Sequence, residues 1–269
     1  MKPIRVGIAG LGAIGRAIAR KLQQAAVPQA ELAGIAARDR IKAQAFLDEI
    51  DCAAPIRSIE ELAKAADLVV ECAPAMAFAE IALPVLSAGK MLMALSAGQL
   101  LEQPELIALA KEHGGQIIVP TGALIGLDAV TAAAEGQIHS VSMITRKPVK
   151  GLLGAPYLAT HGIDIANITA PVRIFQGSAR EAARGFPENV NVVAALSLAG
   201  IGPDRTTIEI WADPALTRNV HRVVVESDSA SFEMSIQNIP SENPKTGRIT
   251  ALSALAALRK LRAPLSVGT

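Results

Sequence analysis

The chain is short of aromatic residues, cysteines, net charge and long apolar runs, and each shortage excludes a class of function. Aromatics are 3% of the 269 residues, with Trp211 and Tyr157 alone of their kinds. That is too few for a platform that stacks single-stranded bases. Lys plus Arg number 26 against 25 Asp plus Glu, a net +1. No strong field steers such a chain to nucleic acid or an anionic membrane, so the expected partner is a small molecule. Cys52 and Cys72 make neither a disulfide scaffold nor a cysteine-rich zinc site, and His113, His139, His161 and His221 lack metal-ligand spacing. No uncharged apolar stretch reaches the roughly 18 residues of a membrane span. The start, Met1-Lys2-Pro3-Ile4-Arg5, runs into a strand without a signal-peptide pattern. A cytoplasmic protein is the expectation.

What the chain has in quantity is apolar residues, 51% of the total, enough for one large domain or two ordinary ones. Up to residue 120, short apolar runs alternate with helical patterns, as in a parallel sheet with crossover helices. Strands are expected at 4–9, 32–37, 67–72, 90–95 and 116–120. A small extra piece is expected at 55–57. Helices are expected at 13–26, 41–50, 60–65, 75–86 and 101–113. After residue 120 the pattern changes to longer alternating strands at 138–146, 172–177, 206–211, 219–227 and 230–237. The last two are joined by a turn at Asp228-Ser229. Helices are expected at 179–184, with Ser178 as N-cap, and at 191–198. A helical tail at 249–261 carries a broad apolar stripe that must pack, most simply on the first domain. The expected fold is therefore α/β: a Rossmann-type parallel sheet (1–120, plus 247–269) and a mixed α+β substrate and dimerisation domain (121–246).

Gly10-Leu11-Gly12-Ala13-Ile14-Gly15 is a GxGxxG between a predicted strand and a predicted helix, the context that gives the motif physical meaning. Gly10 permits the turn, Gly12 lets the backbone approach a pyrophosphate, and Gly15 allows close helix packing. The amides of Ala13 and Ile14 begin the helix that would hold the phosphates. The second strand ends Ile35-Ala36-Ala37-Arg38-Asp39. Ala36 and Ala37 stand where a carboxylate would accept from a ribose 2′-hydroxyl. Arg38 suits a 2′-phosphate or adenine stacking, or is simply a solvated helix start beside Asp39. The expected cofactor is NAD or NADP, with a lean to NADP acceptance or dual use.

Glu71-Cys72-Ala73-Pro74 and Ser96-Ala97-Gly98 follow the third and fourth strands, on the edge where open α/β sheets bind ligands, which makes Ala73 a cofactor contact. Cys72 has no activating neighbour in sequence and reads as a small buried hydrophobe. In residues 219–225 a period of two puts His221 on the face of Val223 and Val225, where its pKa is open to tuning for proton transfer, or where it is a satisfied structural histidine. Asn189 and Asn191 at a helix entrance suit a nicotinamide carboxamide or a helix cap. Thr145-Arg146-Lys147 and the Lys245-Thr246 pair are clusters fit for a dicarboxylate or for plain solvation.

With these pieces in place, the sequence resembles the L-aspartate dehydrogenases nearly end to end. The shared segments include GIAGLGAIGRAIA, ECAP, LSAGQL, TGALIGLDA from Thr121 and TRK at Thr145. They continue with FPENVNVVAALSLAG from Phe186, ADPALTRNVH ending at His221 and ENPKTGRITALSAL from Glu242. The resemblance implies a homodimer that oxidises L-aspartate to iminoaspartate, which hydrolyses to oxaloacetate and ammonia. It implies the reverse reductive amination and a feed into NAD biosynthesis. It places the catalytic histidine at His221 and the nicotinamide contacts at Ala123 and the Asn pair, Asn189 first. It leaves Arg146, Lys147, Lys245 and Thr246 as candidates for the substrate carboxylates. Two other readings stand beside it: another two-domain imine or carbonyl reductase resembling dihydrodipicolinate reductase, and a non-catalytic NAD(P)-sensing protein.

Overall fold

Short apolar runs such as Leu68-Val69-Val70 and Met91-Leu92-Met93 have no polar face to offer water, so they belong in a sheet covered on both sides. A computed structural model describes residues 2–187, 189–241 and 247–269. The chain forms two compact units.

The first unit takes in the described residues of Met1–Ser96, Gln103–Pro120 and Ala251–Ser266. Its chain order is β1 (Ile4–Ala9), α1 (Ala13–Gln23), β2 (Ala30–Ala36), α2 (Arg40–Glu49), α3 (Ile59–Ala65), β3 (Leu68–Glu71), α4 (Phe78–Ser87) and β4 (Met91–Ala94). After α5 (Gly98–Glu102), which groups with the second unit, come α6 (Glu105–His113) and β5 (Gln116–Ile118). The strands are all parallel in the order β2-β1-β3-β4-β5. Ile56 adds a single parallel bridge to Ile35 on the outer side of β2, a vestige of the third strand of a Rossmann sheet. The direction of winding reverses between β1 and β3, so the ligand crevice of such a sheet opens at the carboxyl ends of those two strands.

The sequence predicts one helix over 101–113, and the structure has two. Pro104 stands between α5 and α6 and cannot donate to the ladder of a continuous helix. Three contacts tie α5 to the second unit. The Gly98 amide donates to Asn191 Oδ1 (3.1 Å), Arg180 donates to the Leu101 carbonyl, and Arg184 pairs with Glu102 (3.0 Å). The C-terminal segment joins the first unit: Ala254, Leu255 and Leu258 are buried in its core with Ile4, Ile18 and Phe46.

The second unit holds α7 (Leu127–Ala134), β6 (Ile138–Lys147), α8 (Pro156–Thr160), β7 (Val172–Ser178), α9 (Ala179–Gly185), α10 (Asn191–Ala199), β8 (Thr206–Ala212), β9 (Asn219–Ser227) and β10 (Ser231–Asn238). α11 (Ile249–Lys260) follows. The strand order is β10-β9-β6-β8-β7; β6 and β8 run parallel and the other pairs antiparallel. Ser178 caps α9 through a reciprocal box with Glu181. Helix α7 has no counterpart in the sequence reading: it is 8 residues long and buries only Val130 and Ala133, too small an apolar face to stand out. One sheet face buries Val141, Met143, Ile208, Ile210, Val223 and Val225. The other carries Ile144, Arg146, Glu209, Trp211, Arg222 and Val224, all half-buried or exposed. Among the described residues, no helix is long and apolar enough to cross a membrane.

Candidate functional site

In the first unit the glycine loop is built by what its glycines lack. Gly10 has φ +100°, and a Cβ there would lie 2.7 Å from the Cys72 carbonyl oxygen and 2.8 Å from the Ala73 nitrogen. A Cβ on Gly15 would meet the Gly10 oxygen at 2.1 Å. Gly12 is different: a Cβ there would have only one neighbour, at 3.9 Å. So Gly10 and Gly15 close the turn, while Gly12 leaves space in front of the α1 amides. No side chain caps α1 and no acidic residue stands in its first turn, so its positive end, with Ala13 and Ile14, is open to an anion. These residues fit a dinucleotide pyrophosphate.

Arg38 follows β2 exposed, with no hydrogen bond or ion pair among the described residues, while Asp39 is committed to capping α2 through the Lys42 amide (3.0 Å). That backbone bond holds the Asp39 carboxyl below its usual range. At the end of β3, Glu71 is fully buried. Its carboxylate accepts from the amides of Ala73 (3.1 Å), Leu95 (3.2 Å) and Ser96 (2.9 Å) and from Ser96 Oγ (3.1 Å). Burial raises its pKa against the pull of these donors. Glu71 therefore binds the loops after β3 and β4 together and fixes the Ala73 peptide against which Gly10 packs. The sequence reading passed over this role; a carboxylate at the end of an otherwise apolar strand was the available signal. Cys72 is half-buried, and burial pushes its thiol well above the ordinary value, so it is no nucleophile at rest.

In the second unit, polar side chains gather on the covered face of the sheet. Thr145 and His221 are directly paired across β6 and β9, with Oγ1 and Nδ1 2.5 Å apart. His221 is 2% exposed, and burial first, then the Lys147 charge, pushes its pKa down to about 3, so it is neutral at working pH. Lys147, equally buried, donates to both the backbone carbonyl and Oδ1 of Asn189, each at 2.9 Å. Asn219 and Asn238 are paired on the same face, and Asn238 Nδ2 donates to the Ala123 carbonyl (2.8 Å). Asn238 Oδ1 is buried and unpaired among the described residues, an orphan acceptor that sequence reasoning missed.

The structure brings His221, Lys147 and Asn189 together and holds Ala123 through Asn238, but it separates two other candidates. The pleat turns Arg146 to the opposite sheet face from Thr145 and Lys147. There it lies over the Trp211 ring (5.4 Å) and 4.0 Å from Asp213, so it is not part of the His221 cluster. Asn191 is not a helix cap; Val190 holds that place, and the Asn191 amide oxygen is spent on Gly98. Lys245 and Thr246 lie outside the described residues. The other histidines stay structural in setting: His161 stacks on Tyr157 (3.8 Å between centroids), His113 ends α6, and His139 is exposed. Among the described residues, no group of His, Cys, Asp and Glu is arranged to hold a metal.

Two family models match the chain. Residues 10–120 match the family described as homoserine dehydrogenase, NAD binding domain, and residues 128–261 match aspartate dehydrogenase, C-terminal. The chain is 56% identical to the L-aspartate dehydrogenase of Bradyrhizobium diazoefficiens over 99% of this chain and 94% of that one. It is 54% identical to L-aspartate dehydrogenase 3 of Bordetella bronchiseptica over 98% and 97%. The crystal structure of an aspartate dehydrogenase from Thermotoga maritima shares the fold, with a TM-score of 0.74 at 23% identity, over 98% of this chain and 99% of that one. The chain belongs to the L-aspartate dehydrogenase family.

Proposed function

We propose that the protein oxidises L-aspartate to iminoaspartate, which water converts to oxaloacetate and ammonia, and that it also runs the reductive amination of oxaloacetate, a source of iminoaspartate for NAD biosynthesis. The observation that carries this reading is the buried neutral His221, held by Thr145 beside Lys147 and Asn189, in a chain so similar to named L-aspartate dehydrogenases. Bound NAD or NADP supplies the acceptor for the hydride that leaves Cα of aspartate. Gly10, Gly12 and Gly15, with the amides of Ala13 and Ile14, seat the pyrophosphate, and Ala73 and Ala123 line the cofactor. Asn189 gives its oxygen to Lys147, which leaves its NH2 group to donate to the nicotinamide carboxamide. Asn191 serves the same region by fixing Gly98. Lys147, with Lys245 and Thr246, balances the substrate carboxylates. His221 is the ring that meets the reacting carbonyl or imine group, or its water.

The absence of a carboxylate at Ala36 and Ala37, with Arg38 beside them unpaired among the described residues, supports use of NADPH as well as NADH. The charges on the open face of the second sheet support a homodimer through that face. Arg222 pairs with Glu233 (2.5 Å) and Arg173 with Glu209 (3.5 Å), so two copies meet without net repulsion around Trp211. As the only tryptophan, Trp211 reports this directly: its emission shifts on dilution of a dimer that uses this face and stays constant otherwise.

The test is oxidation of NADH or NADPH by the purified protein with oxaloacetate, with and without ammonium. Ammonium-dependent turnover with both cofactors is expected. Binding of both cofactors without turnover of oxaloacetate would overturn the reading in favour of a nucleotide sensor.

A further inference from the structure

We propose that Thr145 is a positioning residue that fixes His221 in the tautomer with hydrogen on Nε2, so that His221 serves the reaction as a hydrogen-bond donor and not as a base. The proposal rests on the reading of His221 as the group that meets the substrate. It follows from counting what each atom has available. Thr145 is 1% exposed, and among the described residues His221 Nδ1 is the only hydrogen-bond partner of its hydroxyl. The two atoms admit two arrangements.

In the first, Thr145 Oγ1–H donates to the Nδ1 lone pair, every polar atom of the contact is satisfied, and the ring hydrogen sits on Nε2. In the second, Nδ1–H donates to Oγ1, and the buried hydroxyl hydrogen is left without an acceptor among the described residues. An unmade bond of that kind disfavours the second arrangement by roughly 10- to 100-fold. The neighbours do not reverse this. Across the strand pair His221 faces Thr145 on β6 and Ile236 on β10, and Lys147 is the charged group that acts on it. Lys147 directs its donors to the carbonyl and Oδ1 of Asn189, each at 2.9 Å, and among the described residues gives none to the ring, so it does not claim Nε2 as an acceptor. No carboxylate is paired with His221 among the described residues, so nothing there pulls a hydrogen to Nδ1.

Nε2 is thus the ring atom left for substrate, and it presents a hydrogen. A neutral imidazole in this state polarises an oxygen without giving up its proton, as neutral imidazoles do where they serve as electrophiles. In the amination direction the fitting acceptor is the keto oxygen of oxaloacetate: ammonia forms the C–N bond, the C=O π pair moves onto the oxygen held by Nε2–H, and the new ammonium group passes a proton to that oxygen through solvent. No proton leaves the ring in that step.

The experiment is long-range proton–nitrogen NMR on the full-length protein labelled with [15N]histidine, with and without NADPH. His221 is assigned among the four histidines by its loss in H221Q. The expected result is a pyridine-type Nδ1 and a protonated Nε2 in the wild type, kept in T145S and lost or averaged in T145V. Turnover should then fall about 10- to 100-fold in T145V with KM for NADPH unchanged, and stay within about threefold in T145S. A wild-type Nδ1–H tautomer, or a T145V protein with the same ring signals and turnover, would overturn the proposal. The ring signals need no turnover. A wild type that shows the Nε2–H tautomer but does not aminate oxaloacetate therefore separates failure of the aspartate reading from failure of this one.

Discussion

The glycine loop of the first unit and the His221 cluster of the second are made of opposite materials. The loop removes side chains until backbone amides stand in the open: a Cβ at Gly10 or Gly15 would strike peptide atoms, whereas Gly12 faces free space. The cluster buries polar side chains and satisfies them with one another, Thr145 with His221 and Lys147 with Asn189. Each half is therefore fragile in its own way. Steric additions break the loop, while changes of charge or hydrogen-bonding capacity break the cluster, and neither change should spread to the other.

The largest effect should appear in acid. His221 has its ordinary pKa of 6.5 when unfolded and about 3 when folded, so below 6.5 the unfolded chain binds a proton that the folded one refuses. Stability from this group is therefore intact above pH 6.5 and falls as pH drops toward 3, by up to about 5 kcal/mol. Denaturant melts of the wild type between those limits should show this slope, and H221Q should lack it. An equal slope in both would mean that His221 is not held neutral.

Gly10→Ala sharpens the comparison from the other side. It combines a left-handed φ with a backbone clash, and NADPH affinity should fall at least about 100-fold in fluorescence titrations. The acid slope of His221 should persist in that variant.

Much of this comparison is legible in the sequence, for a physical reason. The glycine loop is contiguous, and its function lies in backbone geometry that six adjacent residues determine. The period of two in β9 likewise places His221 on the buried face. The cluster around it is harder to read. Thr145, Arg146 and Lys147 look like one polar patch in sequence, yet the pleat sends Arg146 to the opposite face. Asn191 reaches Gly98, 93 residues away, and Glu71 reaches Ser96 over 25, and no local pattern announces either bond. Helix α7 is too short, at 8 residues, for its period to show, and the break before α6 requires Pro104 to outweigh an unbroken apolar period.

Two smaller effects complete the comparison. Arg38→Ala should lower kcat/KM for NADPH by about 10- to 100-fold and leave NADH within about threefold, since only the former carries the 2′-phosphate. Equal losses with both cofactors would assign Arg38 to adenine stacking. Asp39→Ala removes only the cap of α2 and should cost about 1 kcal/mol in thermal melts with turnover unchanged. A selective loss of NADH turnover there would show instead that Asp39 meets the ribose.

Under the proposed function, cofactor binding and substrate chemistry reside in these two separable clusters. The most direct test of this is H221Q, measured for NADPH affinity by fluorescence and for ammonium-dependent turnover of oxaloacetate. The expected result is an affinity within about twofold of the wild type and turnover lower by about 100- to 1,000-fold. Turnover near the wild-type rate, or a loss of NADPH affinity as large as the loss of turnover, would contradict it.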